Sequence, residues 1–180
     1  MKKIVCLALA LILVWGCALE ALCAEEALQE VRCEEQGFST KIPAGLTAEW
    51  SEGNGLQISM GKPGYIPFIL VFRRPKKLSN PVNYLNNVVR EYMENSYGSN
   101  MIGTNPCKTQ EIGGKKLYAA RYYYKVQNTR VCLMRLVEVR EDGDVEYTAK
   151  YVDGKGDETL AALEIAVQYY QADPAETKAP

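Results

Sequence analysis

Between Lys115 and Lys125 the chain reads Lys-Lys-Leu-Tyr-Ala-Ala-Arg-Tyr-Tyr-Tyr-Lys, so basic and aromatic side chains alternate along one segment. Arg121, Tyr122, Tyr123, Tyr124 and Lys125 form a candidate binding surface for a carbohydrate, an anionic headgroup or a partner loop. Tyrosine offers a flat apolar face with a hydroxyl, and arginine a planar fork of donors. The same composition also suits a plain strand, where tyrosine is favoured and long basic side chains lie along a sheet edge. Parity singles out two arginines: Arg121 shares a strand face with Leu117, Ala119 and Tyr123, and Arg135 with Val131, Leu133, Val137 and Val139. A guanidinium among apolar neighbours under a helix must be paired or line a pocket. The alternative is a strand end that carries it past the helix into water.

Other chemistries are narrowed by what is missing. The sequence contains no histidine, which removes Ser-His and Cys-His pairs, imidazole metal ligands and the ordinary pH switch near neutrality. Gly53-Asn-Gly55 lacks the third glycine of a dinucleotide loop, and Gly114-Lys115 lacks the upstream glycine of a P-loop. Asp153 to Glu158 has Lys155 where a calcium loop needs an oxygen ligand, so it reads as a turn capping a helix. No catalytic residue, cofactor or metal is expected. Of the six cysteines, Cys33, Cys107 and Cys132 follow the N-terminal segment discussed next. Three such cysteines imply one disulfide with a spare thiol or three free thiols; Cys107 and Cys132 fall on strands that flank a third, too far apart to bridge, and Cys33–Cys107 is the preferred pairing if one forms.

Lys2 and Lys3 followed by the apolar run Ile4–Trp15 have the form of a secretory signal over residues 1–24. Leu22-Cys23-Ala24 suits cleavage before Glu25, whereas Val14-Trp15-Gly16-Cys17 resembles a lipobox that would lipidate Cys17. The expected location is periplasmic, cell-surface or secreted. The apolar run falls short of the roughly 20 residues of a membrane-spanning helix, and no later stretch is longer. The whole-chain charge of -1 becomes -2 when the net +1 of Lys2, Lys3 and Glu20 is removed. A near-neutral exported chain has no general attraction to nucleic acid.

The elements that must position these residues can be read in order. Residues 25–35 form a helical or irregular lead. Strands follow at Phe38–Pro43, Thr47–Ser51, Gly55–Met60 and Ile66–Arg73. Ser79-Asn80-Pro81 starts a helix with an apolar stripe of Val82, Leu85, Val88, Val89, Tyr92 and Met93, and Gly98 ends it. Met101–Glu111, Lys116–Gln127, Arg130–Arg140 and Asp144–Val152 make an antiparallel meander with turns at Gly113-Gly114, Asn128-Thr129 and Asp142-Gly143. Asp157 caps a last helix that buries Leu160, Leu163, Val167 and Tyr170, and residues 172–180 form a disordered tail. The basic run Arg73-Arg74-Pro-Lys76-Lys77 reads as a solvated loop or a contact with an anionic envelope surface.

The order β-β-β-β-α-β-β-β-β-α, with Phe38 to Gly45 at the front, Ser79 to Leu85 at the central helix and Ile112-Gly113-Gly114 at the hairpin, resembles the PsbP-like superfamily. That group includes photosystem PsbP, the Ran-binding protein Mog and bacterial exported proteins. The resemblance spans residues 36–171 and implies an α+β fold, an α/β/α sandwich around a central antiparallel sheet. It also implies binding of protein partners rather than catalysis, and transfers no binding residue. The expectation is thus a non-catalytic binding or scaffold module of the cell envelope with an unknown protein or cell-wall partner. A small-ligand carrier with a pocket between sheet and helix around Arg121 or Arg135 is the alternative, and a carboxylate-dependent hydrolase the second.

Overall fold

The structure is a computed structural model that describes residues 27–51, 55–61 and 66–173. The expected signal, with Cys17 and both processing points, lies outside the described residues, as does the tail beyond Asp173.

Among the described residues there are ten strands, two longer helices and two short 3-10 segments. A seven-stranded antiparallel sheet has the order β3(Thr47–Ser51), β4(Gly55–Ser59), β5(Phe68–Arg73), β9(Val145–Val152), β8(Thr129–Glu138), β7(Lys115–Val126), β6(Met101–Ile112). A three-stranded sheet places β2(Phe38–Pro43) between β1(Leu28–Cys33) and β10(Gln171–Ala172). Within the stretch expected to form a helical or irregular lead, Leu28–Cys33 is therefore a strand, followed by a single 3-10 turn at Glu34–Gln36. Leu28 to Cys33 pair along the whole length of β2, and this tertiary pairing outweighs the weak local preference of Leu-Gln-Glu-Val-Arg-Cys. The fold also continues into the expected tail, since Gln171 and Ala172 pair with Ser39 and Phe38.

Side-chain alternation gives the large sheet two apolar faces, each covered by different elements. Helix α2 (Asp157–Gln168) and the small sheet cover one face, packing Phe38, Ile42, Leu163 and Val167 against Ile69, Leu117, Met134 and Tyr147. The opposite face carries helix α1 (residues 81–97), which packs Leu85, Val89 and Met93 onto Ala120, Tyr122, Tyr124, Val131 and Leu133. The molecule is thus an α+β fold in which an antiparallel sheet is the middle layer.

Helix α1 runs through Pro81–Asn83, a π-helical stretch Tyr84–Val89, and Arg90–Tyr97. Its start is as the sequence indicates: the Asn80 side chain accepts from the Asn83 N–H at 2.9 Å, with Pro81 in the first turn. The apolar stripe is narrower than expected, because Val82, Val88 and Tyr92 are exposed. Its buried side chains are four apart, Leu85, Val89 and Met93. The π turn carries the Leu85 carbonyl to the Tyr122 hydroxyl, which donates to it in the core. Tyr122→Phe removes that buried hydrogen bond, and a loss of about 1 kcal/mol in urea unfolding is expected.

The last helix is capped differently from the expectation. Gly156, not Asp157, is its N-cap and makes no side-chain cap bond. The Tyr151 ring lies so close that a Cβ on residue 156 would sit 2.5 Å from it, so a Ser or Asp cap has no room there.

Candidate functional site

β7 carries the basic and aromatic segment, and its parity divides that segment between the two faces. Tyr122 and Tyr124 are fully buried under α1, where Tyr97 stacks on Tyr124 at 3.8 Å between ring centroids. These two tyrosines belong to the core and not to a binding surface. The alternation that sends Arg121 and Tyr123 to one side must send their neighbours to the other.

Arg121, Tyr123 and Lys125 remain, on the α2 face but beyond the part that α2 covers. Antiparallel pairing sets Asn105 opposite Arg121 and Lys108 opposite Ala119, so β6 contributes to the same surface. A bulge between Asn105 and Lys108 inserts one residue and leaves both flanking side chains on this face. Asn105, Pro106, Lys108, Gln110, Ala119 and Arg121 line a hollow of about 370 Å³. Beside it the Asn105 amide donates to the Tyr123 hydroxyl at 3.2 Å, and the Arg130 guanidinium lies 4.8 Å over the Tyr123 ring. Lys125 stands directly opposite Arg130 on β8, a like-charged pair that costs stability in a sheet. Asp153 pairs with Arg130 at 2.8 Å. Lys108, Arg121, Lys125 and Arg130 against Asp153 give this surface a net charge of 4 - 1 = +3.

Arg135 lies on the opposite face. It lines a hollow of about 190 Å³ with Leu70, Phe72, Arg74, Tyr84, Glu146 and Thr148. Glu146, only 4% exposed, is the hub. Its Oε2 accepts from Arg74 Nη1 at 2.8 Å and from the Tyr84 hydroxyl at 2.9 Å, while Arg135 Nη1 pairs with Oε1. The Arg74 guanidinium also lies 4.8 Å over the Tyr84 ring. Burial pulls the Arg135 guanidinium below its ordinary value. Arg121 and Arg135 each line a hollow, on opposite sides of one sheet, and Arg121 does so where the strand has passed beyond α2.

Half of the basic run before α1 is structural. Arg73 donates to the Gly37 carbonyl at 3.0 Å and the Asp142 carbonyl at 3.0 Å, and Arg74 is held by Glu146. Lys76 and Lys77 alone are exposed.

The preferred Cys33–Cys107 disulfide is not formed. All three cysteines are free thiols. Cys33 packs in the core beneath α2, whereas Cys107 packs on the α1 side, so the large sheet stands between them. Cys107 and Cys132 do lie on β6 and β8 with β7 between, as the sequence indicates. Burial pushes all three thiols up, which keeps them protonated and weakly nucleophilic at neutral pH. Among the carboxylates, Glu138 and Glu146 are both buried, but their registers place them on opposite faces, so they do not converge on one cleft. No described helix is long and apolar enough to cross a membrane.

No protein-family model and no curated protein sequence matches the chain. Solved structures do. Cyanobacterial PsbP (CyanoP) from Synechocystis sp. PCC 6803 superposes with a TM-score of 0.53 at 10% identity, over 82% of this chain and 93% of that one. A protein from Bacteroides thetaiotaomicron VPI-5482 superposes with a TM-score of 0.50 at 12% identity, over 84% of this chain and 51% of that one. The chain thus has a PsbP-like fold. A fold at such identity carries no site with it.

Proposed function

We propose that this is an exported, non-catalytic binding module of the cell envelope that holds an anionic cell-wall polymer across Lys108, Arg121, Tyr123, Lys125 and Arg130. The observation that carries this reading is the +3 surface around the 370 Å³ hollow, with Asn105 and Gln110 as amide donors and no carboxylate in the lining. An exposed cluster of like charges works against the stability of the sheet that carries it, and a polyanion offsets the repulsion. Tyr123 is half-buried with the Arg130 guanidinium 4.8 Å over its ring, which holds that cation beside the other donors for the acidic groups of a polymer. Export is supported by Lys2-Lys3 and the apolar run to Trp15, which would bring the surface to the compartment where such polymers occur.

The test is a titration with polygalacturonate, with neutral dextran as control, at increasing salt. Binding of the polyanion alone, weakening as salt rises, is expected. Lys108 and Lys125 are exposed, so Lys108→Glu and Lys125→Glu leave the fold in place. Together they should weaken binding by about tenfold or more, the equivalent of one or two charge-assisted hydrogen bonds. Equal binding of dextran, or an unchanged affinity in the double variant, would refute the reading. Capture of an acidic protein with no response to the polysaccharide would replace the polymer with a protein partner.

A further inference from the structure

We propose that the hollow on the α1 face is a second binding site, independent of the basic surface, and that it takes a carboxylate group. Its lining holds two guanidiniums, Arg74 and Arg135, and one carboxylate, Glu146, so its net charge is 2 - 1 = +1. A partly enclosed site with an unbalanced positive charge favours an anion, because water screens the excess poorly there. Glu146 does not exhaust the two forks. It engages the Nη1 atom of each, and two donors, the Nε of each arginine, are buried with no hydrogen-bond partner among the described residues against one such acceptor, Glu146 Oε1. Roughly a quarter of each arginine side chain, 23% for Arg74 and 24% for Arg135, is still accessible.

Charge and shape select the ligand class. A single negative charge balances the site, whereas a phosphate dianion would overshoot it. A planar carboxylate matches the edge of a guanidinium fork, and Thr148 adds a hydroxyl to the same lining. At about 190 Å³ the hollow lies below the roughly 300 Å³ at which pockets for drug-sized ligands begin, so only a small acid or the end of a chain fits. Leu70 and Phe72 provide apolar wall for a short aliphatic group attached to the carboxylate.

The site is also built before any ligand arrives. Tyr84, which closes the hollow on the helix side, opens the π-helical stretch of α1. That stretch is pinned at two points: the Tyr122 hydroxyl donates to the Leu85 carbonyl, and the Cys107 N–H donates to the Asn86 side-chain oxygen at 2.7 Å. Binding therefore requires little ordering of the wall.

Two sources can supply the group, a free small acid or the C-terminal carboxylate of a peptide, and the experiment separates them. Arginine Nε–H signals of the intact protein are followed by NMR during titration with sodium propionate, propionamide, the dipeptide Ala-Val, and Ala-Val amide. Saturable shifts of the Arg74 and Arg135 signals with the two acids, and none with the two amides, are expected. Tighter binding of Ala-Val than of propionate identifies a chain terminus as the ligand; the reverse identifies a free acid. Arg74→Gln removes a charged donor and should weaken the acid by about tenfold or more. If that variant does not fold, the contrast between acids and amides in the wild-type protein decides alone. Equal response to acids and amides, no movement of either Nε–H, or shifts confined to Arg121 on the other face would overturn the proposal.

Discussion

Glu146→Leu should lower the unfolding free energy by about 3 kcal/mol, seen as a fall of roughly 6 to 12 °C in Tm. The reason lies in what is left behind. Glu146 is the shared partner of Arg74, Arg135 and the Tyr84 hydroxyl, and its removal strands two guanidiniums in a hollow walled by Leu70 and Phe72. Breaking a buried pair by deleting one member costs about 3 to 5 kcal/mol, and the partial exposure of both arginines places this case at the low end. The cost belongs to the orphaned charges and not to the carboxylate as such. Adding Arg135→Met to Glu146→Leu should therefore recover a large part of the loss, since an apolar replacement of a buried pair is close to neutral. Thermal unfolding of the single and double variants reads both effects. A single variant within about 1 kcal/mol of wild type would show that water, and not Glu146, balances the arginines.

Gly113→Ala should be of similar size, about 3 kcal/mol, for an unrelated reason. Residue 113 turns the β6–β7 hairpin with a φ of +57°, a conformation that a side chain disfavours by about 1 kcal/mol or more. The hairpin is also pressed beneath α2. A Cβ there would lie 2.7 Å from the Glu164 carbonyl oxygen and 2.8 Å from the Gln168 N–H nitrogen, both backbone atoms of α2 that no rotamer change can move aside. Either the helix end lifts from the sheet or the hairpin shifts, at a cost typical of an overpacked core. Gly114→Ala is the control, because the added carbon meets nothing within 4 Å although φ is again positive, at +72°. Urea unfolding should show the first variant much less stable than the second; equal losses would mean that the turn conformation, not the contact with α2, sets the cost.

The sequence resolved the large sheet well, because its strands alternate or run apolar between turn residues, and a period of two identifies the face of each side chain. Arg121 and Arg135 follow from that period alone. The same period, applied to Tyr122 and Tyr124, places them opposite Arg121 and under the helix. Their burial was therefore legible, and only the pull of a continuous basic and aromatic run made them look like surface. Glu146 was not legible. Nothing local separates it from the other acidic residues, and its role depends on a cross-strand register with Phe72 and Val137 and on a helix that brings Tyr84 over it. Lys108 and Asn105 were hidden by the bulge, which shifts the parity of β6 between them. The π turn of α1 was beyond reach for a similar reason, since it is sustained by a tyrosine on β7, in a different part of the chain. β1 escaped because its only strong signal is its partner strand.

The small sheet has a topological consequence. β2 is bordered on one side by β1 and on the other by β10, and Arg32 next to β2 bonds Asp173 at 2.7 Å across that sheet. Because β1 and β10 both run antiparallel to β2, they are parallel to each other, so Ala27 lies beside Ala44 at one end of β2 and Asp173 beside Gly37 at the other. A permuted chain that joined Asp173 to Ala27 would therefore need a linker running the whole length of β2, six residues or roughly 20 Å, and not a tight turn. A tether before Ala27 and one after Asp173 would hold the small sheet by opposite ends.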